Sequence, residues 1–141
     1  MVRNSSKITI NAQARKVWDA LVLPEFVKQW QYGSLLITDW KIGSDIRFRS
    51  EWNGQVFEQW GKVLEFNPYK SLSYTLFAPR PDLEDKPENY FIMKYILTEN
   101  SDSTILEIIQ EDGRPSAVEE QPQGEENQIL AMLKKCVEDK K

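Results

Sequence analysis

The chain has 141 residues and a formal net charge of −4, from 18 basic and 22 acidic side chains. It has no histidine and one cysteine, Cys136, which excludes imidazole acid–base catalysis, Ser–His and Cys–His nucleophile pairs, multi-cysteine zinc sites and an internal disulfide. A mildly acidic, mixed composition gives no basic footprint for nucleic acid, and no apolar run approaches the ~18 residues of a membrane span. The length predicts one domain over residues 1–141. A lone thiol and no secretory leader predict a cytoplasmic protein.

Lys7 to Ile10 alternates polar and apolar and predicts a short strand, with Asn11 as a helix cap. Val17, Trp18, Leu21 and Val22 fall at helical spacing. Pro24 ends that helix and suits the first turn of a second short one through Phe26, Val27 and Trp30. From Ser34 onward the pattern is that of strands. Ser34 to Asp39, Asp45 to Trp52, Gln55 to Phe66, Ser71 to Phe77, Tyr90 to Thr98 and Thr104 to Gln110 are predicted in turn. Asn53-Gly54 is a two-residue hairpin signal. Ala78 to Asn89 reads as an exposed, proline-containing loop, and Glu111 to Glu126 as a solvated acidic one. A helix over 125–139 carries one apolar stripe of Ile129, Met132, Leu133, Cys136 and Val137. The order predicts an α+β fold: a curved antiparallel sheet wrapped around a long C-terminal helix, with two short helices after the first strand.

A two-residue turn at Asn53-Gly54 sets the register of the central hairpin. Trp52 faces Gln55 and Asp45 faces Lys62. The outer face then pairs Arg47 with Trp60 and Arg49 with Glu58. The inner face carries Ile46, Phe48, Ser50 and Trp52 opposite Gly61, Gln59, Phe57 and Gln55. A slip of one residue would put the apolar set in water. Tyr95, Met93 and Gln110 join this face by alternation on the later strands. Sparse amides among large apolar groups have two readings. One is a core polar group satisfied by backbone or buried water; the other is the lining of a small-ligand cavity. The candidate lining is Phe48, Trp52, Phe57, Gln59, Tyr95, Gln110, Met132 and Cys136.

Several stretches resemble one known family. Val17-Trp18-Asp19-Ala20-Leu21, followed by Pro24 and Trp30, is similar to its opening motif. Lys41-Ile42-Gly43-Ser44-Asp45-Ile46-Arg47-Phe48 resembles its glycine turn and next strand. Gly61-Lys62-Val63-Leu64-Glu65-Phe66-Asn67-Pro68, running on to Leu72 and Tyr74, matches its G-x-V-x-E-x-x-P-x-x-x-L-x-Y signature, and Thr104-Ile105-Leu106 its Thr-x-Leu. The family is the activator of heat-shock protein 90 ATPase-like family, in the START-related helix-grip (SRPBCC) superfamily. The resemblance implies the helix-grip fold and allows several functions: hydrophobic-ligand binding, a co-chaperone-like interaction, or cyclase or hydrolase chemistry. No carboxylate pair is fixed by spacing, so no catalytic residue, metal or cofactor is assigned. Tyr74 and Tyr95 are possible proton donors whose plainer reading is core packing. The expected partner is a small hydrophobic or aromatic molecule. An interaction module is the alternative, meeting a chaperone or a second copy through the outer sheet face around Trp60.

Overall fold

The computed structural model describes residues 2–31, 33–114, 117–119, 121–124 and 126–139, with Trp52 described by its backbone. The strands are β1 (Val2–Ile10), β2 (Leu35–Thr38), β3 (Asp45–Trp52), β4 (Gln55–Asn67), β5 (Ser71–Leu76), β6 (Phe91–Asn100) and β7 (Ser103–Asp112). The helices are α1 (Ala14–Val22), α2 (Pro24–Trp30) and α3 (Gln128–Glu138). The strands form one open antiparallel sheet in the order β1-β7-β6-β5-β4-β3-β2. The fold is the α+β helix grip that the sequence predicts, except that its C-terminal helix is short, eleven residues, rather than long.

The β3–β4 register agrees at every position with the hairpin derivation, from Trp52↔Gln55 to Asp45↔Lys62. Asn53 and Gly54 both take positive φ, 52° and 76°, as a hairpin turn that follows the strand twist requires. Beyond the hairpin β4 runs on against β5. A Cβ on Gly61 would stand 1.8 Å from the Thr75 carbonyl oxygen. Only a glycine lets the two backbones approach this closely.

Several local expectations are corrected. Asn11 does not cap α1: the N-cap is Gln13, without a side-chain bond, while the Asn11 backbone N–H donates to Glu138 Oε2 at 2.8 Å. α3 starts at Gln128 rather than 125, because Asn127 caps it by accepting from the Ile129 and Leu130 N–H groups. Its buried side is Leu130, Leu133 and Val137, while Ile129 and Met132 are exposed. The apolar stripe therefore faces inward about one position away from its predicted centre. β1 is longer than predicted, and part of the acidic segment lies along its free edge. Gln123 bridges Ser6 there, and Asn4 Nδ2 donates to the Val118 carbonyl at 3.0 Å.

α3 packs against β1, α1 and α2. Lys134 Nζ donates to the Thr9 carbonyl at 2.7 Å and pairs with Glu138 at 2.6 Å, so the helix is fastened to the end of β1. Beneath it Ile10, Val17, Leu106 and Leu133 are fully buried. An aromatic row leads away from this filled end. Trp18 meets Phe66 (5.3 Å), Phe66 stacks on Trp40 (5.4 Å), and Trp40 reaches Tyr74 (6.3 Å).

Candidate functional site: the cavity between sheet and helix

Past Tyr74 the interior is not filled. A cavity of about 970 Å³ lies between the inner faces of β3 to β7, the end of α2 and the N-terminal end of α3. Its size is at the upper end of small-molecule sites, roughly 300–1,000 Å³. The cause is the shortness of the helix. Eleven residues of α3 span only about 16 Å, whereas thirteen residues of β4 span about 43 Å. The hairpin end of the sheet therefore extends beyond the helix.

Alternation on each strand aims side chains into this space. β3 contributes Phe48 and Ser50, β5 contributes Tyr74 and Leu76, β6 contributes Phe91, Met93 and Tyr95, and β7 contributes Ile108 and Gln110. Phe48 packs on Tyr74 at 5.6 Å, and Tyr74 stacks on Tyr95 at 6.1 Å. The two tyrosine hydroxyls lie 3.4 Å apart. Burial pushes both phenols above their usual range, Tyr74 strongly, with the neighbouring Tyr95 adding to it. Gln110 Nε2 donates to Asp112 Oδ2 at 3.3 Å. Asp112 is also held by Arg114, at 2.7 and 2.9 Å, and the guanidinium sits 4.5 Å over the Phe91 ring. Those bonds hold the Asp112 carboxyl below the ordinary carboxylate range. The one carboxylate among the described lining residues is Glu58, at the open edge of the cavity; by strand parity its side chain belongs to the opposite face of the sheet, where it pairs with Arg47 at 2.7 Å.

The structure brings Phe48, Phe57, Gln59, Tyr95 and Gln110 to the cavity wall. Phe57 is nevertheless not inside: it is 51 % exposed at the mouth, and Gln59 is exposed too. Parity places them on the inner face, but nothing covers the sheet at that end. Met132 and Cys136 do not line the cavity, which corrects their placement on its wall. Met132 is 37 % exposed, and the Cys136 thiol donates to Gln29 Oε1 at 3.3 Å between α3 and α2. The helix instead meets the cavity through Ile129, Leu130 and the capping Asn127. Trp52 pairs with Gln55 by its backbone, and its side chain lies outside the described residues. Tyr74, Leu76, Phe91 and Ile108 also line the cavity, beyond the expected set. The alternation Leu72/Tyr74/Leu76 on β5 was the available signal for the first two.

The opposite face of the sheet is charged, as predicted, with one change of partner. Asp45 pairs with Lys62, and Arg47 sits 5.9 Å from the Trp60 ring. Glu58, however, takes Arg47 and not the predicted Arg49. Strand twist favours the diagonal neighbour over the one directly opposite. Asp82 and Glu84 belong to a segment anchored on the outer face. Asp85 of that segment accepts from Trp60 Nε1 at 3.0 Å and from the Tyr90 hydroxyl at 2.6 Å. Trp60 is thereby packed, with Phe77 at 5.4 Å. Among the described residues there is no cluster of side chains suited to a metal ion and no helix long and apolar enough to cross a membrane.

Comparison with known proteins agrees with this architecture. A search of curated protein sequences finds no match. A solution structure from Cytophaga hutchinsonii is 35% identical, covering 82% of this chain and 80% of that one, with a TM-score of 0.69. The Aha1 dimer from Colwellia psychrerythraea is 18% identical over 83% of this chain and 81% of that one, TM-score 0.61. An HSP90 activator from Plasmodium falciparum is 13% identical over 83% and 76%, TM-score 0.65. The last two likenesses concern the fold. The family model for Activator of Hsp90 ATPase homolog 1-like protein matches residues 11–138. By that match, and by the strand, turn and helix pattern that carries it, the chain belongs to the Activator of Hsp90 ATPase homolog 1-like family.

Proposed function

We propose that the protein is a binding domain for a small apolar or aromatic molecule, held between the sheet and the C-terminal helix, in a cytoplasmic setting that keeps Cys136 reduced. The observation that carries this reading is the cavity of about 970 Å³ walled by Phe48, Tyr74, Phe91, Met93, Tyr95 and Ile108. Aromatic rings supply contact area, and the Met93 thioether supplies an adaptable surface. Gln110 and the tyrosine hydroxyls supply the few polar atoms that orient a ligand. The mouth is rimmed by Phe57 and Ile129, both exposed.

A thermal-shift screen against hydrophobic and aromatic metabolites tests it. A ligand at a hundred times its Kd stabilises by about 2.7 kcal/mol through mass action, so the melting temperature rises with concentration. Ile108→Trp, which puts a bulky ring into the cavity, weakens the shifts. Met132→Trp, outside the cavity, leaves them intact. Equal loss in both variants, or no shift with any compound, contradicts the reading.

A second reading is an interaction module like an HSP90 activator domain. It is favoured by the family and by exposed apolar residues on the edge strand β2, Leu35 at 46 % and Ile37 at 44 %. Sedimentation of the protein, alone and with a heat-shock protein 90, tests it: Ile37→Lys removes any association made through that edge.

A further inference from the structure

The Tyr74–Tyr95 pair holds more hydrogen-bonding capacity than the protein uses. A phenol has one O–H donor and two acceptor lone pairs. Bonded to each other, two phenols use one proton and leave one. Among the described residues no other group exchanges a hydrogen bond with either hydroxyl. Tyr74 is 4 % and Tyr95 6 % exposed, so the second proton is left to whatever occupies the cavity, water or ligand. A buried donor left unmade is costly, and both residues line the cavity. Burial raises both phenols above their ordinary range, so the donor persists at neutral pH.

The rest of the wall sets the charge of what enters. Among the described lining residues there is no cation to receive an acid, and Glu58 is taken up by Arg47. An unpaired ligand charge would lose its hydration without compensation.

Resting on the ligand-binding reading above, we propose that the ligand is an uncharged, mostly apolar molecule that presents an accepting oxygen, such as a carbonyl, to the free O–H of the Tyr74–Tyr95 pair. Either phenol serves as the outward donor, since the bond between them runs in either direction.

Fluorescence titration with three probes of one shape tests this: 2-acetylnaphthalene, 2-isopropenylnaphthalene, which replaces C=O by C=CH₂, and the 2-naphthoate anion. Each single variant, Tyr74→Phe or Tyr95→Phe, retains one O–H, so ketone binding stays within about threefold of the unaltered protein. The double variant loses the donor. Its ketone Kd rises about five- to tenfold, the equivalent of one neutral hydrogen bond, while the alkene Kd stays within about twofold. The unchanged alkene Kd also reports that the cavity is intact. In the unaltered protein the carbonyl stretch of bound ketone lies below its frequency in hexane, a readout that needs no variant. A carbonyl stretch at the hexane value, equal weakening of ketone and alkene in the double variant, or naphthoate binding as tightly as the ketone overturns the proposal. If neither neutral probe binds up to its solubility, the ligand-binding reading itself fails. Alkene binding without a preference that depends on the hydroxyls removes only the hydroxyl assignment.

Discussion

The two ends of the interior are built from the same layers and end in opposite states. Under α3, where β1 and β7 meet α1, Ile10, Val17, Leu106 and Leu133 leave no exposed surface. At the β3–β4 end the same inner sheet face meets open volume, and Phe57 stands half in solvent. The difference is not one of hydrophobicity, since both ends present aliphatic and aromatic groups at alternating positions. It comes from the reach of the helix and from what fastens it. Lys134 and Glu138 tie α3 to Thr9 and Asn11, which fixes the covered end and leaves the hairpin end without a lid. A short, firmly anchored helix thus divides one hydrophobic face into a structural part and a receptive part.

The largest expected effect lies at the filled end. Leu133→Ala costs about 3–4 kcal/mol, because a closely packed site cannot collapse around the void. Chemical denaturation measures it; a cost below about 1.5 kcal/mol would erase the distinction between the two ends. Phe48→Ala falls lower, about 2–3 kcal/mol and under the usual cost for a fully packed phenylalanine, since one side of its ring already faces the cavity.

The sequence determines the hairpin more tightly than it determines the face of α3. The hairpin register followed from one turn, Asn53-Gly54, because a period of two admits only two faces and the charged one must be wet. That placed Phe48 correctly and every β3–β4 pair with it. The face of α3 was less determined. Ile129, Met132, Leu133, Cys136 and Val137 span a broad arc, and Leu130 lies beside it. Packing against α1, α2 and β1 selects the Leu130/Leu133/Val137 side. Parity also says which way a side chain points, and not whether anything covers it, which is why Phe57 and Gln59 lie on the inner face and are still exposed. The family motifs were legible because they mark turns and close approaches. Gly61, against the Thr75 carbonyl, is one with a clear physical reason.

The Asp112–Arg114 pair beside Gln110 sharpens the comparison through pH. Arg114 hydrogen bonds hold the Asp112 carboxyl below its ordinary value of 3.8. A carboxylate stabilised by folding contributes above that ordinary value, and its contribution is lost as pH falls through the lower folded value. Unfolding free energy therefore falls more steeply below about pH 4 in the unaltered protein than in Asp112→Asn. Identical acid limbs for the two would remove the pair from the wall's support.

The smallest effects belong outside both regions. Arg49→Ala, on the exposed outer face with Glu58 already taken by Arg47, changes stability by under about 0.5 kcal/mol. A larger change would mean that the Arg49–Glu58 pairing forms in solution.

The most direct test of a filled end and a receptive end in one interior is methyl NMR during titration with 2-acetylnaphthalene. The account predicts saturable shifts at Leu76, Met93, Ile108 and Leu130, with Ile10, Val17, Leu133 and Val137 unmoved. Shifts confined to the second group, or to the outer-face residues Leu35 and Ile37, would contradict it.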